Sequence, residues 1–295
     1  MRLALMVDRP DWHGRALASA FARSGAEAVP VRLSACHFDT ALPNGLAIPG
    51  FADGLPEAVL VRAIGGGGFE EITRRLGILH ALRELGVPVW NDARAIERCV
   101  DKSTASFLMA RAGLPTPPTW TVEGIDAARA VVAREAKGAM LVLKPLFGAQ
   151  GRGLRLISGA ADLPELEAVA GVYYLQRYVP AGPEGFQDHR LFVGAGEVIA
   201  AMTRRSAGWI TNIGRGGRPA PLVPDGELAG LAVRAASCVG ADYAGVDLVR
   251  DPDGRILVLE VNSMPAWQGL QQVTETPIAD RLAAAMLSGL MPNRR

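Results

Sequence analysis

In "ILVLEVNSM", Glu260 and Asn262 stand two apart in an apolar, β-branched run. Residues i and i+2 of a strand share a face, so the acid and the amide project together from an element that otherwise reads as buried. A carboxylate among apolar neighbours needs a cation or a donor network. Asp247, in "YAGVDLV", has the same surroundings, and "DPDG" joins its strand to the other as a hairpin turn. Two carboxylates and an amide oxygen on adjacent strands make a hard-oxygen set suited to Mg²⁺. The plain alternative is a strand end that emerges into solvent.

Phosphate chemistry is suggested by "KPLFGAQGRGL", where Lys144 on a strand precedes Gly148, Gly151 and Gly153. Glycines let backbone N–H groups approach an anion closely, and a lysine supplies countercharge. No G-K-[ST] occurs, so this is not a Walker A loop. Strand-like "LRLI" follows it, which also excludes a G-x-G-x-x-G turn opening a helix. It reads either as a flexible flap over phosphates or as an ordinary hairpin with a surface lysine. "DHRLFV" and "TRRSAGWITNIGRGGR" gather Arg190, Arg204, Arg205, Arg215 and Arg218, as a polyanion site or a solvated cationic loop would.

"IGGGGF" (Gly65 to Gly68) lacks the third glycine of a dinucleotide fingerprint, and Glu70 and Glu71 would repel a pyrophosphate. A substrate-facing loop or a plain turn fits it better. His13, His37, His80 and His189 are scattered and read as structural; no G-x-S-x-G elbow supports covalent hydrolysis.

The elements that must position these groups follow from apolar periodicity. "RLALMVD", "AEAVPVRL", "EAVLVRAI" and "VPVWN" read as strands alternating with helices "GRALASAFARSG" and "FEEITRRLGILHALRELG", which implies a parallel sheet. "ARAIERCVDKSTASFLMARAG" is one or two helices, and "LPTPPTW" forces an extended exit. Then come helix "AARAVVAREA", strands "AMLVLKPL" and "LRLI", helix-like "LPELEAVA" and "VYYLQRYV". Strands "HRLFVGAG" and "EVIAAMTRRS", a long loop, helix "ELAGLAVRAASCVG", the hairpin bearing Asp247 and Glu260, and helix "PIADRLAAAMLSGL" complete the chain.

With 295 residues, 49% of them hydrophobic and 21% charged, the chain should form two or three packed lobes. A net charge of +1 argues against a general nucleic-acid surface. Cys36, Cys99 and Cys238 lie far apart, as reduced thiols of a cytoplasmic protein would. No apolar run approaches the roughly 18 residues of a membrane helix, and Asp8 and Arg9 interrupt the first run too early for a signal peptide.

In order, "VWNDARAIERCVDKSTASFLMARAGLPTPPT", "LVLKPLFGAQGRGL", "YLQRYV", "DHRLFVGAGEVIAAMTRRS", "TNIGRGG", "AGVDLVR" and "LVLEVNSMPAWQGLQ" resemble the ATP-grasp ligases, and closely the RimK-type branch that adds glutamate to acceptors. The resemblance spans residues 88–285. The N-terminal "VLVRAIGGGGFEEITRRLGILHALRELGVPVWN" looks most like members that glutamylate pterin-type one-carbon cofactors such as tetrahydromethanopterin. It implies an α/β (α+β) chain with the ATP-grasp fold. A parallel-sheet pre-ATP-grasp domain would occupy 1–98, a central subdomain with the glycine-rich flap 99–180, and a C-terminal subdomain with the metal site 181–295.

Residue by residue, the resemblance implies that Lys102 and Lys144 hold ATP phosphates beneath a flap containing Gly148, Gln150, Gly151 and Gly153. Gln176, Arg177, Tyr178 and Val179 would be the adenine hinge, with Asp188 near the ribose. Arg190, Arg205 and Asn212 would address the terminal phosphate, and Arg215 a substrate carboxylate. Asp247, Glu260 and Asn262 would hold two Mg²⁺ ions, for which Mn²⁺ substitutes. Relatives often carry an acid where Arg177 stands, so a side-chain contact to adenine there is not carried over. The implied activity is ADP-forming carboxylate–amine ligation through an acyl phosphate, with ATP, L-glutamate and an anionic cofactor acceptor as small-molecule substrates. No nucleic-acid or membrane partner is implied; a homodimer or homotetramer is. A protein or peptide terminus as acceptor, or an ATP-binding regulator without catalysis, are the other readings.

Overall fold

The computed structural model describes residues 1–148 and 150–290; Ala149, inside the glycine-rich turn, and residues 291–295, at the end of the expected C-terminal subdomain, lie outside it. The first apolar runs form strands β1 (Arg2–Met6), β2 (Glu27–Val31), β5 (Val59–Val61) and β6 (Val89–Trp90), a parallel sheet in the order β2-β1-β5-β6. Helices α1 (Trp12–Arg23) and α2 (Phe69–Glu84) make the crossovers. Between them sits a hairpin of β3 (His37–Phe38) and β4 (Leu46–Ala47), which sequence periodicity did not predict because two-residue strands have no period to read.

The long helical stretch is two helices, α3 (Ala93–Val100) and α4 (Lys102–Arg111). Asp101 divides them: it keeps an extended backbone, its carboxylate accepts the Ser103 N–H at 2.8 Å, and it also receives the Ser103 and Thr104 hydroxyls. The extended exit then continues into β7 (Thr119–Glu123), an unpredicted strand whose residues are none of them buried. With α5 (Ile125–Glu135), β8 (Leu141–Lys144), β9 (Arg155–Ile157) and β10 (Val172–Arg177) it builds an antiparallel sheet ordered β7-β10-β8-β9. "LPELEAVA" yields only a 3₁₀ turn at Leu166–Val169, too short and uncapped to nucleate an α-helix.

The last third forms β11 (Gln187–Gly194), β12 (Glu197–Arg205), β13 (Arg218–Pro221), α6 (Gly226–Val239), β14 (Tyr243–Arg250), β15 (Ile256–Asn262), α7 (Gln268–Gln271) and α8 (Ile278–Leu290). Its antiparallel sheet runs β13-β12-β11-β14-β15; β13 lies in the stretch expected to be loop. One face, with Leu191, Val246, Leu248, Val258 and Val261, packs on Leu228, Ala232 and Ala235 of α6. The opposite face is apolar at one end, where Phe192, Met202 and Tyr243 share a core with β1, α1 and α8. At its other end it carries the charged groups described below. Asn91 fastens the first sheet to this one. Fully buried, it donates to the carbonyls of Tyr243 (2.7 Å) and Ser263 (2.6 Å) and accepts from the N–H groups of Asp242 (2.6 Å) and Tyr243 (3.1 Å). Among the described residues no helix is long and apolar enough to cross a membrane.

Candidate active site

Alternation along β11, β12 and β14 turns Asp188, Arg190, Arg204 and Asp247 to one face, since Asp188 pairs with Arg204 and Arg190 with Asp247 across the ladders. Glu260 pairs with Asp247, but the register shifts immediately afterwards and Leu248 pairs with Val258. Leu259 is therefore the extra residue of a β-bulge. Without it, Val258 and Glu260 would share a face. With it, Val258 faces α6 while Glu260 and Asn262 turn toward Asp247.

The charges are closely interlocked. Arg190 clasps Asp247 with both arms, Nε to Oδ1 at 2.6 Å and Nη2 to Oδ2 at 2.5 Å. Arg204 reaches the same Oδ2 at 3.0 Å and is held by Asp188, with Nε to Oδ1 at 2.7 Å. Burial alone would raise the Asp247 carboxyl, but the two guanidiniums outweigh it and hold it well below the usual carboxylate range. Burial likewise opposes the charge on Arg204, and Asp247 and Asp188 keep it firmly protonated. Asn262 Nδ2 donates to Glu260 Oε1 at 3.0 Å.

Lys144 comes from the facing sheet. It is buried and donates to Gln176 Oε1 at 2.7 Å. Gln176 in turn reaches Thr119 Oγ1 at 3.3 Å, and Tyr174 bonds Ser106 at 2.7 Å beneath it. Burial pushes the Lys144 ammonium below its ordinary pKa, and the nearby Glu260 pulls it back up. Lys102 shifts down for the same reason and donates to the carbonyls of Leu146 (3.2 Å) and Gly148 (2.7 Å), tethering the base of the flap. The flap leans on the loop after β12: a Cβ on Gly151, whose φ is +66°, would lie 2.5 Å from Asn212 Oδ1 and 3.0 Å from Ile210 Cγ2. Gly153 abuts Pro145 instead, where a Cβ would lie 2.8 Å from Cγ.

Two cavities result. A cleft of about 440 Å³ opens between the antiparallel sheets, lined by Lys102, Lys144, Gly148, Gln150, Gly151, Gln176, Arg177, Tyr178, Val179, Asp188, Arg204, Asn212, Asp247 and Glu260. Its apolar walls include Val142, Leu154, Val249 and Leu259. Arg177 contributes backbone, because its side chain bonds Glu135 at 2.9 Å and lies over Trp120. The N–H groups of Arg177 and Tyr178 are used by the carbonyls of Pro118 and Met140, and Pro180 has none, so among the described residues Val179 carries the N–H left unpaired in the stretch expected to be the hinge. A second cavity of about 480 Å³ is lined by Gly65, Gly66, Cys99, Tyr174, Asn262 and Met264. Lys102, Gly148 and Glu260 line both, so the cavities meet there.

The Gly65–Gly68 turn thus faces the second cavity with its first two residues. Arg75 braces it, donating to the carbonyls of Ile64 (3.2 Å) and Gly66 (2.8 Å). Glu71 caps the helix behind it, accepting the Gly68 N–H at 2.9 Å, so the place of a pyrophosphate is taken by the protein's own carboxylate.

Arg205 and Arg215 are not brought into this group. Both are exposed and line neither cavity; Arg205 alternates to the other face of β12 and bonds Gln187 at 3.3 Å. Arg204 occupies the position expected of Arg205, and a doublet of arginines on a strand leaves that parity undecided until the register is known. Trp209, which no motif marked, lines the cleft with its ring 6.1 Å from that of Tyr178.

Among the described residues no three His, Cys, Asp or Glu side chains converge on a metal position. Two carboxylates and the Asn262 amide nevertheless fit Mg²⁺, which takes one or two carboxylates and completes its shell with water and substrate phosphates. Asp247, Glu260 and Asn262 would hold such an ion, whose chemistry is to neutralise charge on phosphate oxygens.

The chain is similar to known proteins over most of its length. It is 38% identical over 232 residues to a tetrahydromethanopterin:alpha-L-glutamate ligase of Methanococcus maripaludis, covering 77% of each chain. It is 31% identical to a probable alpha-L-glutamate ligase of Thioalkalivibrio sulfidiphilus, covering 77% of this chain and 79% of that one. The fold superposes on the ATP-grasp ligase PsnB, solved with a minimal precursor, with a TM-score of 0.75 at 22% identity over 97% of this chain and 98% of the other. The RimK-like ATP-grasp domain matches residues 99–286, and the chain belongs to that family of ATP-dependent ligases.

Proposed function

We propose that this chain joins L-glutamate through its amine to a carboxylate of a pterin-type one-carbon cofactor, with tetrahydromethanopterin or a close analogue as acceptor. The observation that carries the reading is the meeting of two cavities at Lys102, Gly148 and Glu260. One cavity has the apolar walls, hinge and buried lysine suited to ATP. The other is bounded by the Gly65 turn after β5 and suits an acceptor, and the chain's overall identity to the tetrahydromethanopterin ligases supports a pterin-type one. An acceptor carboxylate entering there attacks the γ-phosphorus of ATP, breaking the bond to the β–γ bridging oxygen. ADP leaves, and an acyl phosphate forms. The amine of glutamate, deprotonated, then adds to the acyl carbon and expels inorganic phosphate, leaving an amide.

No side-chain nucleophile takes part. The protein positions the reactants and neutralises developing charge with Lys144, Lys102 and the arginines. Asp247, Glu260 and Asn262 would hold the two Mg²⁺ ions, which would supply the remaining countercharge. The test is ADP release with Mg·ATP and L-glutamate, offering tetrahydromethanopterin in one arm and a peptide in the other, with product mass read in parallel. A glutamyl increment on the pterin is expected. An increment on the peptide alone would replace the acceptor, and ATP binding without turnover on either would favour a regulatory role.

A further inference from the structure

Asp247 is already neutralised. Three donors from two guanidiniums fall on its two oxygens, at 2.6, 2.5 and 3.0 Å. A carboxylate offers about four acceptor positions, so little remains for an incoming ion, which would also meet two fixed positive charges. The two arginines differ in their alternatives. Arg204 has Asp188 as a second carboxylate and a side chain only 4% exposed. Arg190 is paired with Asp247 alone among the described residues, and its side chain is 12% exposed. Arg190, on β11, lies near Gly245 of β14, where a Cβ would come 3.7 Å from its Nε and 2.8 Å from Pro265 Cβ, so a side chain larger than glycine would crowd the space beside the guanidinium.

We propose that Arg190 is an exchangeable counterion for Asp247. The divalent ion that arrives with the nucleotide takes Asp247, and Arg190 turns to the anion delivered beside it, while Arg204 stays on Asp188. The proposal rests on the metal assignment made above. It makes metal loading depend on nucleotide: a free ion must displace a guanidinium that then has no partner, whereas a metal–nucleotide complex brings one. Arg190 is thereby presented to the phosphoryl group only when the metal is in place.

The test uses Mn²⁺ and the full chain without nucleotide, with free Mn²⁺ read by electron paramagnetic resonance. Arg190→Gln should bind Mn²⁺ about tenfold or more tightly than the unsubstituted protein, because one of two opposing charges is gone. Arg190→Lys keeps the charge and should bind as weakly as the unsubstituted protein. Adding Asp247→Asn to Arg190→Gln should abolish the gain. Equal Mn²⁺ affinity in Arg190→Gln and the unsubstituted protein, with Mn²⁺·AMP-PNP still binding the latter, overturns the exchange and leaves the metal assignment standing. Failure of Mn²⁺ to bind even with AMP-PNP overturns both. Should Arg190→Gln not fold, a crystal of the unsubstituted protein with Mn²⁺·AMP-PNP decides. Anomalous density at Asp247 with Arg190 turned away is expected, and Arg190 still clasping Asp247 with both arms refutes the exchange.

Discussion

Gly151→Ala should impair flap closure while leaving the rest of the protein intact. Gly151 has a φ of +66°, and an alanine in that left-handed region costs roughly 1–2 kcal/mol. Its Cβ would also lie 2.5 Å from Asn212 Oδ1 and 3.0 Å from Ile210 Cγ2, so Asn212 must leave its rotamer at about 0.5–1.5 kcal/mol more. The expected flap motion would place both costs on the conformation in which Gly151 meets Asn212. Together they reach about 1.5–3.5 kcal/mol, or roughly 10- to 400-fold in kcat/KM for ATP at 1.36 kcal/mol per decade. Gly159→Ala is the matched control: its φ is −160° and a Cβ there meets open space. Steady-state kinetics with varied ATP, alongside thermal melts of both variants, make the comparison. An unchanged kcat/KM in Gly151→Ala would refute a flap that works by closing on Asn212. A loss matched by an equal fall in melting temperature would mean that the glycine merely stabilises the fold.

The other predictions test single contacts. Lys144→Gln should raise the Kd of Mg·AMP-PNP by about 10- to 150-fold, the equivalent of one charge-assisted bond of about 1.5–3 kcal/mol, as read by calorimetry. Asn91→Ala should lower unfolding stability by about 2–5 kcal/mol in urea, because it strands two buried carbonyls and two N–H groups. His13, buried and accepting the Trp267 N–H at 3.1 Å, and His189, buried beside Thr203, both lie below the ordinary 6.5, with burial the largest cause in each. At these two histidines the folded chain binds fewer protons than the unfolded one, so their contribution is complete above pH 6.5 and is lost as the pH falls toward the lowered values, whereas the partly buried Asp242 carboxyl, raised to about 6, acts with the opposite sign. His13→Gln should therefore make the urea midpoint fall less between about pH 7.5 and 5.5 than it does in the unsubstituted protein, as measured by urea titrations of both at the two pH values.

Much of the architecture was written in local pattern. The alternating elements before residue 90 announced a parallel sheet, and Asp247 and Glu260 announced neighbouring strands because a hairpin turn lies between them. What escaped was set by partners distant in the chain. The bulge at Leu259 depends on the register against β14, and it decides which side of the sheet Glu260 occupies. Arg204 and Arg205 are chemically alike, and pairing with β11 selects the one that faces Asp188. Trp209 and Asn91 carried no spacing signal, since each acts through one contact brought to it by tertiary packing. The four glycines after β5 read from the sequence as a substrate-facing loop or a plain turn, because Glu70 and Glu71 follow them, and Glu71 does close the helix end they seem to open.

The central claim is that this cleft activates a carboxylate by phosphorylating it. The most direct test supplies the acceptor with ¹⁸O in its reacting carboxylate and follows the label by mass spectrometry during a single turnover with Mg·ATP and L-glutamate. Acyl phosphate chemistry predicts that one ¹⁸O leaves in inorganic phosphate, because the oxygen bridging carbon and phosphorus departs with phosphorus when the amine attacks. Unlabelled phosphate, or label recovered in AMP, would contradict it.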